Sequence, residues 1–93
     1  MVAFRFRVTG RVQGVGFRWF TRAAADRAGV VGWVANEPDG SVTGEVRGES
    51  HAVERFLTEI QRGPAASAVT EVVRQTIASS SAGTEFTMFE IRR

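Results

Sequence analysis

The chain has 93 residues, 43% of them hydrophobic and 24% charged, and these values predict one small globular domain over residues 1–93. It contains no cysteine, tyrosine or lysine, which excludes disulfides, thiolate nucleophiles, lysine Schiff bases and the lysine of Walker-type phosphate loops. The only histidine, His51, cannot form a multi-histidine metal site within one chain. No apolar run reaches the roughly 20 residues of a membrane span, and the alternating N-terminus is unlike a signal peptide, so we expect a cytoplasmic protein.

The first part of the chain predicts a strand, a helix and a second strand. The first segment alternates apolar and polar residues, and its apolar face consists of Val2, Phe4, Phe6 and Val8. Apolar residues at helical spacing then predict a helix over Phe17 to Ala28, and Gly29 stands where a C-cap glycine belongs. A second strand is predicted over Val30 to Asn36.

A hairpin and a second helix follow. Pro38-Asp39-Gly40 predicts a turn, and the alternation behind it predicts a third strand with an apolar face of Val42, Gly44 and Val46. The second helix is the clearest element, with one apolar face made of Val53, Phe56, Leu57 and Ile60. Ser50 is its predicted N-cap, and Gly63-Pro64 ends it.

Two more strands complete the pattern. They are predicted over Val69 to Ile77 and Phe86 to Ile91, with a loop tip at Ala78 to Gly83 between them. The face of the fourth strand is ambiguous, because Val69 and Val73 alternate whereas Val72 is out of step.

The order β-α-β-β-α-β with a short C-terminal strand predicts an α+β class. Two helices can each bury an apolar stripe only if both lie on a sheet. The ferredoxin-like sandwich, an antiparallel sheet with two helices on one face, satisfies this with right-handed crossovers. In that topology the third strand lies between the first two, which run in the same direction. The end of the first strand and Asn36, at the end of the second, are therefore expected at one edge of the sheet.

The segment Gly10 to Arg18, GRVQGVGFR, carries the strongest chemical signal. Gly14 and Gly16 allow the backbone to curl so that successive N–H groups point inward, as in an anion-binding nest. The N-terminus of the first helix adds unpaired donors and a partial positive charge. Arg18 lies in the first helical turn, so its guanidinium can fold back to contact the oxygens of a phosphoryl group. An ordinary glycine-rich turn and a solvated arginine are the alternatives.

Asn36 also has two interpretations. Before Pro38-Asp39-Gly40, an asparagine is commonly a turn former. Its carboxamide is both a donor and an acceptor, which also suits it to orient a water molecule. On the same sheet edge as Arg18, Asn36 would direct that water at a bound phosphorus atom.

These residues resemble the acylphosphatase family over essentially the whole chain. The matching segments are GRVQGVGFR, GWVAN at Gly32 to Asn36, DGSVTGEVRG at Asp39 to Gly48, the helix AVERFLTEI, RGP at Arg62 to Pro64 and FEIR at Phe89 to Arg92. Two positions differ from the usual family pattern. Trp19 is aromatic, as is usual in the family, but the residue there is often tyrosine. Ala65 stands where a second proline is frequent. These departures bear on substrate preference and stability.

The resemblance implies an acylphosphatase that uses no metal and no cofactor and hydrolyses acyl phosphates to a carboxylate and inorganic phosphate. It implies that Arg18 binds the substrate phosphate and that Asn36 orients the attacking water. The expected substrate-binding loop is Gln13, Gly14, Val15, Gly16, Phe17 and Arg18, acting through backbone N–H groups and the guanidinium. Inorganic phosphate is expected as product and competitive ligand. We expect a monomer that binds neither nucleic acid nor a membrane.

Two other functions share this outline. An RNA recognition motif has the same order of elements, but it needs paired aromatic residues on the central strands, and the third strand (SVTGEVRG) has none. A net charge of only +2 also weakens the RNA-binding interpretation. The second alternative is a non-catalytic phosphate-binding or carbamoyl-phosphate-handling domain of a larger protein. Because no linker follows the predicted domain, we expect an independent enzyme.

Overall fold

The structure, a computed structural model, describes residues 1–78 and 87–92. Within them the chain forms five strands and two helices, which are β1 (Val2–Arg11), α1 (Phe17–Ala28), β2 (Val31–Asn36), β3 (Val42–Gly48), α2 (Ser50–Arg62), β4 (Ala68–Thr76) and β5 (Phe89–Arg92). Most of the predicted loop tip at Ala78 to Gly83, and Phe86 at the predicted start of the last strand, lie outside the described residues. The last strand begins at Phe89, after Thr87 and Met88.

The five strands form one sheet in the order β4-β1-β3-β2-β5. β3 pairs antiparallel with both β1 and β2, so β1 and β2 run in the same direction and end at the same edge. This arrangement confirms the predicted ferredoxin-like sandwich. One pair differs from the antiparallel pattern, because β5 runs parallel to β2, with Gly32 opposite Phe89 and Ala35 opposite Arg92.

Both helices pack against the sheet, α1 over β2 and β5 and α2 over β1, β3 and β4. Phe56 of α2 lies at the centre of the core, with its ring centroid 5.7 Å from that of Phe6 and 5.6 Å from that of Phe89. Three separate elements thus meet through aromatic rings at separations typical of favourable edge and offset contacts. Neither of the two described helices is long and apolar enough to cross a membrane.

The predicted bounds of α1 are confirmed, and a glycine stands at each end. Gly16 precedes the helix with φ 78°, and its carbonyl accepts a hydrogen bond from the Phe20 N–H at 3.0 Å. Gly29 follows it with φ 77°, and its N–H donates to the Ala25 carbonyl at 2.9 Å. Both residues have left-handed backbone geometry, which glycine adopts without the steric cost of a Cβ atom.

The start of α2 corrects one prediction. Ser50 is the first helical residue rather than the N-cap, which is Glu49, with extended backbone at φ −65° and ψ 142°. The Glu49 carbonyl accepts the first helical hydrogen bond, from the Val53 N–H at 2.9 Å, and its side chain makes no capping bond. A side-chain cap contributes only about 1 kcal/mol, so burial of the apolar face of α2 determines where the helix begins.

A β-bulge settles the ambiguous face of β4. Thr9 pairs with Glu71 and Gly10 with Val69, so the pairing passes over one residue of β4. The extra residue reverses the alternation, because residues after it move to the opposite face. Val69 and Val72 therefore both pack against the core, although they lie three residues apart, whereas Val73 is exposed.

Candidate active site

The loop between β1 and α1 has left-handed backbone at two glycines, the geometry that a curled loop needs. Gly14 has φ 74° and Gly16 has φ 78°, both in the left-handed region. A Cβ atom added to either glycine would meet no heavy atom within 4 Å, so the backbone angle is what favours glycine there. The same open space leaves the main chain of the loop accessible to a ligand.

Arg18 lies in the first turn of α1, with a half-buried side chain. Its guanidinium Nη1 donates a hydrogen bond of 3.1 Å to the backbone oxygen of Arg92 in β5. β5 reaches this position because it runs parallel to β2, at the edge of the sheet beside α1. The hydrogen bond uses one of the five guanidinium N–H groups, and no second partner of Arg18 lies in residues 1–78 or 87–92, so the others can donate to a ligand.

Arg18 and Asn36 line the same cavity, which has a volume of about 170 Å³. The other lining residues are Val12, Gly14, Gly16, Phe17 and Trp19. Arg18 follows the end of β1 and Asn36 ends β2, so the parallel direction of these two strands accounts for their meeting. The lining includes a guanidinium and a carboxamide, and these two donors together suit an oxyanion.

Asn36 carries an unsatisfied acceptor. Its Oδ1 atom is buried and accepts no hydrogen bond from any residue in the described part of the chain. A buried carbonyl without a hydrogen bond typically costs about 1–3 kcal/mol, and such groups in native structures commonly have a functional reason. The oxygen belongs to a residue that lines the cavity, so the Asn36 side chain borders the space that a bound molecule would occupy.

The turn after Asn36 is fixed by side chains. The Asp39 carboxylate accepts hydrogen bonds from the Ser41 N–H at 2.9 Å and the Ser41 hydroxyl at 2.6 Å, and it forms an ion pair with Arg7. These hydrogen bonds, above all the one from the Ser41 hydroxyl, hold the pKa of Asp39 below its ordinary value of 3.8, with a further contribution from the Arg7 charge. The turn residue is therefore an ionised carboxylate at neutral pH.

Gln13 and Val15 are placed differently from the other residues of the predicted loop. Gln13 makes side-chain hydrogen bonds to the turn after Asn36. Its side-chain Nε2 donates to the backbone oxygens of Glu37 at 2.7 Å and Ser41 at 2.9 Å, which occupies both N–H groups. Neither Gln13 nor Val15 lines the cavity, and Val15 packs against the core. For both residues, phosphate binding through the main-chain N–H stays a prediction.

Two lining residues, Val12 and Trp19, are absent from the predicted site. Val12 is buried, and no sequence signal marks it. Trp19 is 66% exposed although it is large and apolar. Its position directly after Arg18, at a departure from the family pattern, is the signal that could have included it.

Comparison with known proteins identifies the family. The acylphosphatase family profile matches residues 4–91. The chain belongs to the acylphosphatase family. It is 44% identical over 88 residues to an acylphosphatase from Oceanobacillus iheyensis, and the aligned region covers 95% of this chain and 94% of the relative. It is 51% identical over 72 residues to an acylphosphatase from Thermotoga maritima, with 77% and 80% covered.

The fold agrees with the family. The crystal structure of acylphosphatase from Bacillus subtilis matches all of this chain and all of its own with a TM-score of 0.93, at 34% sequence identity. The resemblance predicted from the sequence is thus confirmed, together with the enzyme class that acylphosphatase denotes.

Proposed function

We propose that this acylphosphatase hydrolyses the carboxyl-phosphate anhydride bond of acyl phosphates, releasing a carboxylate and inorganic phosphate, without a metal ion. The observation that carries the proposal is that Arg18 and Asn36 line one cavity of about 170 Å³ beside the curled glycine loop. A fixed cationic donor can stabilise the charge of a phosphoryl group, and an amide in the same cavity can position the attacking water.

Arg18 and the loop bind the phosphoryl group. The guanidinium, held through Nη1 by the Arg92 carbonyl, presents its remaining N–H groups to phosphoryl oxygens as a planar fork. The backbone N–H groups of residues 13–17 supply further donors at the positive end of the α1 dipole. These fixed donors stabilise the charge that spreads over the three oxygens in the transition state.

Asn36 orients the nucleophile. The carboxamide of this lining residue hydrogen-bonds a water molecule and aims that water at phosphorus, opposite the leaving group. A bond forms between the water oxygen and phosphorus, while the bond between phosphorus and the anhydride oxygen breaks. The leaving carboxylate takes the electron pair, and a phosphoryl oxygen of the substrate takes the proton of the water.

Carboxylates are good leaving groups, since their conjugate acids have pKa values of about 4. The substrate therefore needs no general acid to protonate the leaving oxygen, and positioning with charge stabilisation can supply most of the rate. This explains how a site built from one arginine, one asparagine and main-chain amides performs the reaction.

Release of inorganic phosphate from benzoyl phosphate and acetyl phosphate tests the proposal directly. We expect turnover in buffer treated with a chelator, with competitive inhibition by inorganic phosphate. A protein that binds phosphate but releases none from either substrate would be a non-catalytic phosphate-binding module. A requirement for added metal ions would contradict the metal-free mechanism.

The absence of a nucleic-acid partner is part of the proposal and is supported by the charges of the outer sheet face. Arg5 pairs with Glu45 at 2.8 Å, and Arg7 pairs with Asp39, so these two arginines of the interior strand β1 already have carboxylate partners. Retention of RNA on a filter at physiological salt would contradict this expectation. A monomeric state and a cytoplasmic location stay predictions.

A further inference from the structure

Trp19 is a large apolar side chain that the core leaves uncovered. It follows Arg18 on α1, is 66% exposed, and is not among the residues that form or flank the hydrophobic core. An exposed tryptophan beside a ligand cavity is unlike isolated surface apolar residues, because it can lose its contact with water when a ligand binds.

Trp19 lines two cavities. The first is the cavity of about 170 Å³ that Arg18 and Asn36 also line. Trp19 also lines a cleft of about 280 Å³ on the exposed side of α1, with Arg22, Ala23 and Asp26. Ala23 stands four residues after Trp19, one helical turn away, and its small side chain leaves the cleft open.

The size of the Arg18 cavity indicates which part of a substrate it can hold. The Arg18 cavity alone is below the roughly 300–1,000 Å³ typical of small-molecule sites. Trp19 lines both this cavity and the cleft, so a substrate too large for the first can extend along this residue toward the second. A phosphoryl group held at Arg18 would place the acyl group of the substrate outside the smaller cavity, toward the indole.

The polar residues of the cleft are matched in charge. The Arg22 guanidinium lies 5.8 Å from the centre of the Trp19 ring and 4.0 Å from the Asp26 carboxylate. The cation orients the indole, and the neighbouring carboxylate balances its charge. The cleft therefore offers an aromatic surface without a net charge that would select a charged acyl group.

We propose that Trp19 is a specificity-determining residue whose indole packs against the acyl group, so that the enzyme favours acyl phosphates with a planar aromatic acyl group over small aliphatic ones. This inference rests on the proposed function of the Arg18 and Asn36 cavity and adds the substrate class to it.

The kinetic test compares benzoyl phosphate with acetyl phosphate. We expect kcat/KM for benzoyl phosphate to exceed that for acetyl phosphate, and Trp19→Ala to lower this ratio about tenfold, as expected for a lost stacking contact. Trp19→Phe should keep most of the preference, because it keeps a planar ring. An equal loss on both substrates would leave the ratio unchanged and would overturn the proposal.

A binding test separates this inference from the hydrolysis itself. Phenylphosphonate and methylphosphonate cannot be hydrolysed as anhydrides, and calorimetry measures their affinity for the intact chain. We expect phenylphosphonate to bind about tenfold more tightly, with the difference lost in Trp19→Ala. If this preference holds while the protein hydrolyses neither acyl phosphate, the proposed function fails and the acyl-group site stands. If neither phosphonate binds, or both bind equally, the site is wrong.

Two further variants control for indirect effects. Val73→Ala removes another exposed apolar side chain, on the outer face of β4. It should change neither the kcat/KM ratio of the two acyl phosphates nor the affinity ratio of the two phosphonates. Trp19→Leu keeps an apolar side chain but removes the ring, and it should lose the aromatic preference. Should Trp19→Ala fail to fold, the Leu variant decides the question, and retention of the full preference there would overturn the proposal.

Discussion

Gln13 and Glu37 are joined by a hydrogen bond of 2.7 Å, from the Gln13 side-chain amide to the Glu37 backbone oxygen. Gln13 directly precedes the curled loop that leads to Arg18, and Glu37 directly follows Asn36. A second bond, of 2.9 Å to the Ser41 oxygen, ties the same amide to the other side of the turn. One side chain that lies outside the cavity thus connects the two segments that carry its polar groups.

Gln13→Ala should lower kcat for benzoyl phosphate about tenfold through loss of positioning. Stability should fall by about 1–3 kcal/mol, because two hydrogen bonds worth about 0.5–1.5 kcal/mol each are lost. The Glu37 and Ser41 oxygens each keep one backbone partner, the N–H groups of Gly40 and Glu37. Gln13→Glu keeps the shape without the donors and should behave similarly. Steady-state kinetics and chemical denaturation measure both effects, with Gln75→Ala, at an exposed site on β4, as the control. Unchanged kcat in a destabilised Gln13→Ala would restrict this residue to a structural role.

Arg18→Lys keeps the positive charge but removes the planar fork. We expect kcat/KM to fall at least about 100-fold, as when a transition-state hydrogen-bond donor is lost. Arg55→Lys, on the exposed face of α2, is the matched control and should retain full activity. Near-normal hydrolysis by Arg18→Lys would remove the guanidinium from the chemistry.

Asn36→Ala should separate catalysis from phosphate binding. If Asn36 orients the water, turnover falls by a factor of about 100, while the inhibition constant of inorganic phosphate stays within about twofold, because Arg18 and the loop still hold the anion. The measurement is a set of initial rates at several phosphate concentrations. Loss of phosphate inhibition in this variant would assign Asn36 to anion binding.

Gly16 and Gly29 offer a matched pair of substitutions. They stand at opposite ends of α1 with φ of 78° and 77°, and neither has a neighbour within 4 Å of an added Cβ atom. Alanine at either site should lower stability by a similar amount, about 1 kcal/mol. Only Gly16→Ala should weaken phosphate binding, since Gly29 is remote from the loop. Calorimetric titration with phosphate would contradict the loop assignment if both variants bound it like the wild type.

Acidification should weaken the turn beside Asn36. Because the folded-state pKa of Asp39 is below its ordinary value of 3.8, its hydrogen bonds contribute stability that is fully present above about pH 4 and lost as the pH falls through the lowered pKa. The stability difference between wild type and Asp39→Asn should therefore shrink with falling pH. Denaturation at several pH values measures it, and an NMR titration midpoint of Asp39 at or above 3.8 would contradict the assignment.

The sequence predicted the secondary structure correctly wherever one local pattern of residues determines it. The bounds of α1 follow from apolar spacing and from Gly29, and the inner face of β3 follows from strict alternation. Strand direction then follows from the order of elements, which is why the meeting of Arg18 and Asn36 could be predicted. These features need only short-range periodicity and one topological rule.

Features that depend on distant partners could not be predicted in this way. The hydrogen bonds of Gln13 reach residues 24 and 28 positions away, and the carbonyl that holds Arg18 lies 74 positions away in β5. The bulge that brings Val72 to the core arises from pairing with β1, not from the composition of β4. N-cap preference misplaced the start of α2, since burial of its apolar face outweighs a cap of about 1 kcal/mol.

The central position of β3 has a consequence for how activity appears during folding. β3 is inserted between β1 and β2, so the distance between Arg18 and Asn36 is defined only after two separate ladders have formed. Such non-local pairing is slow to form, because the chain loses entropy in closing a long loop before the stabilising contacts are made. Recovery of hydrolysis during refolding should therefore coincide with the slowest spectroscopic phase, and species with only one of these ladders should be inactive.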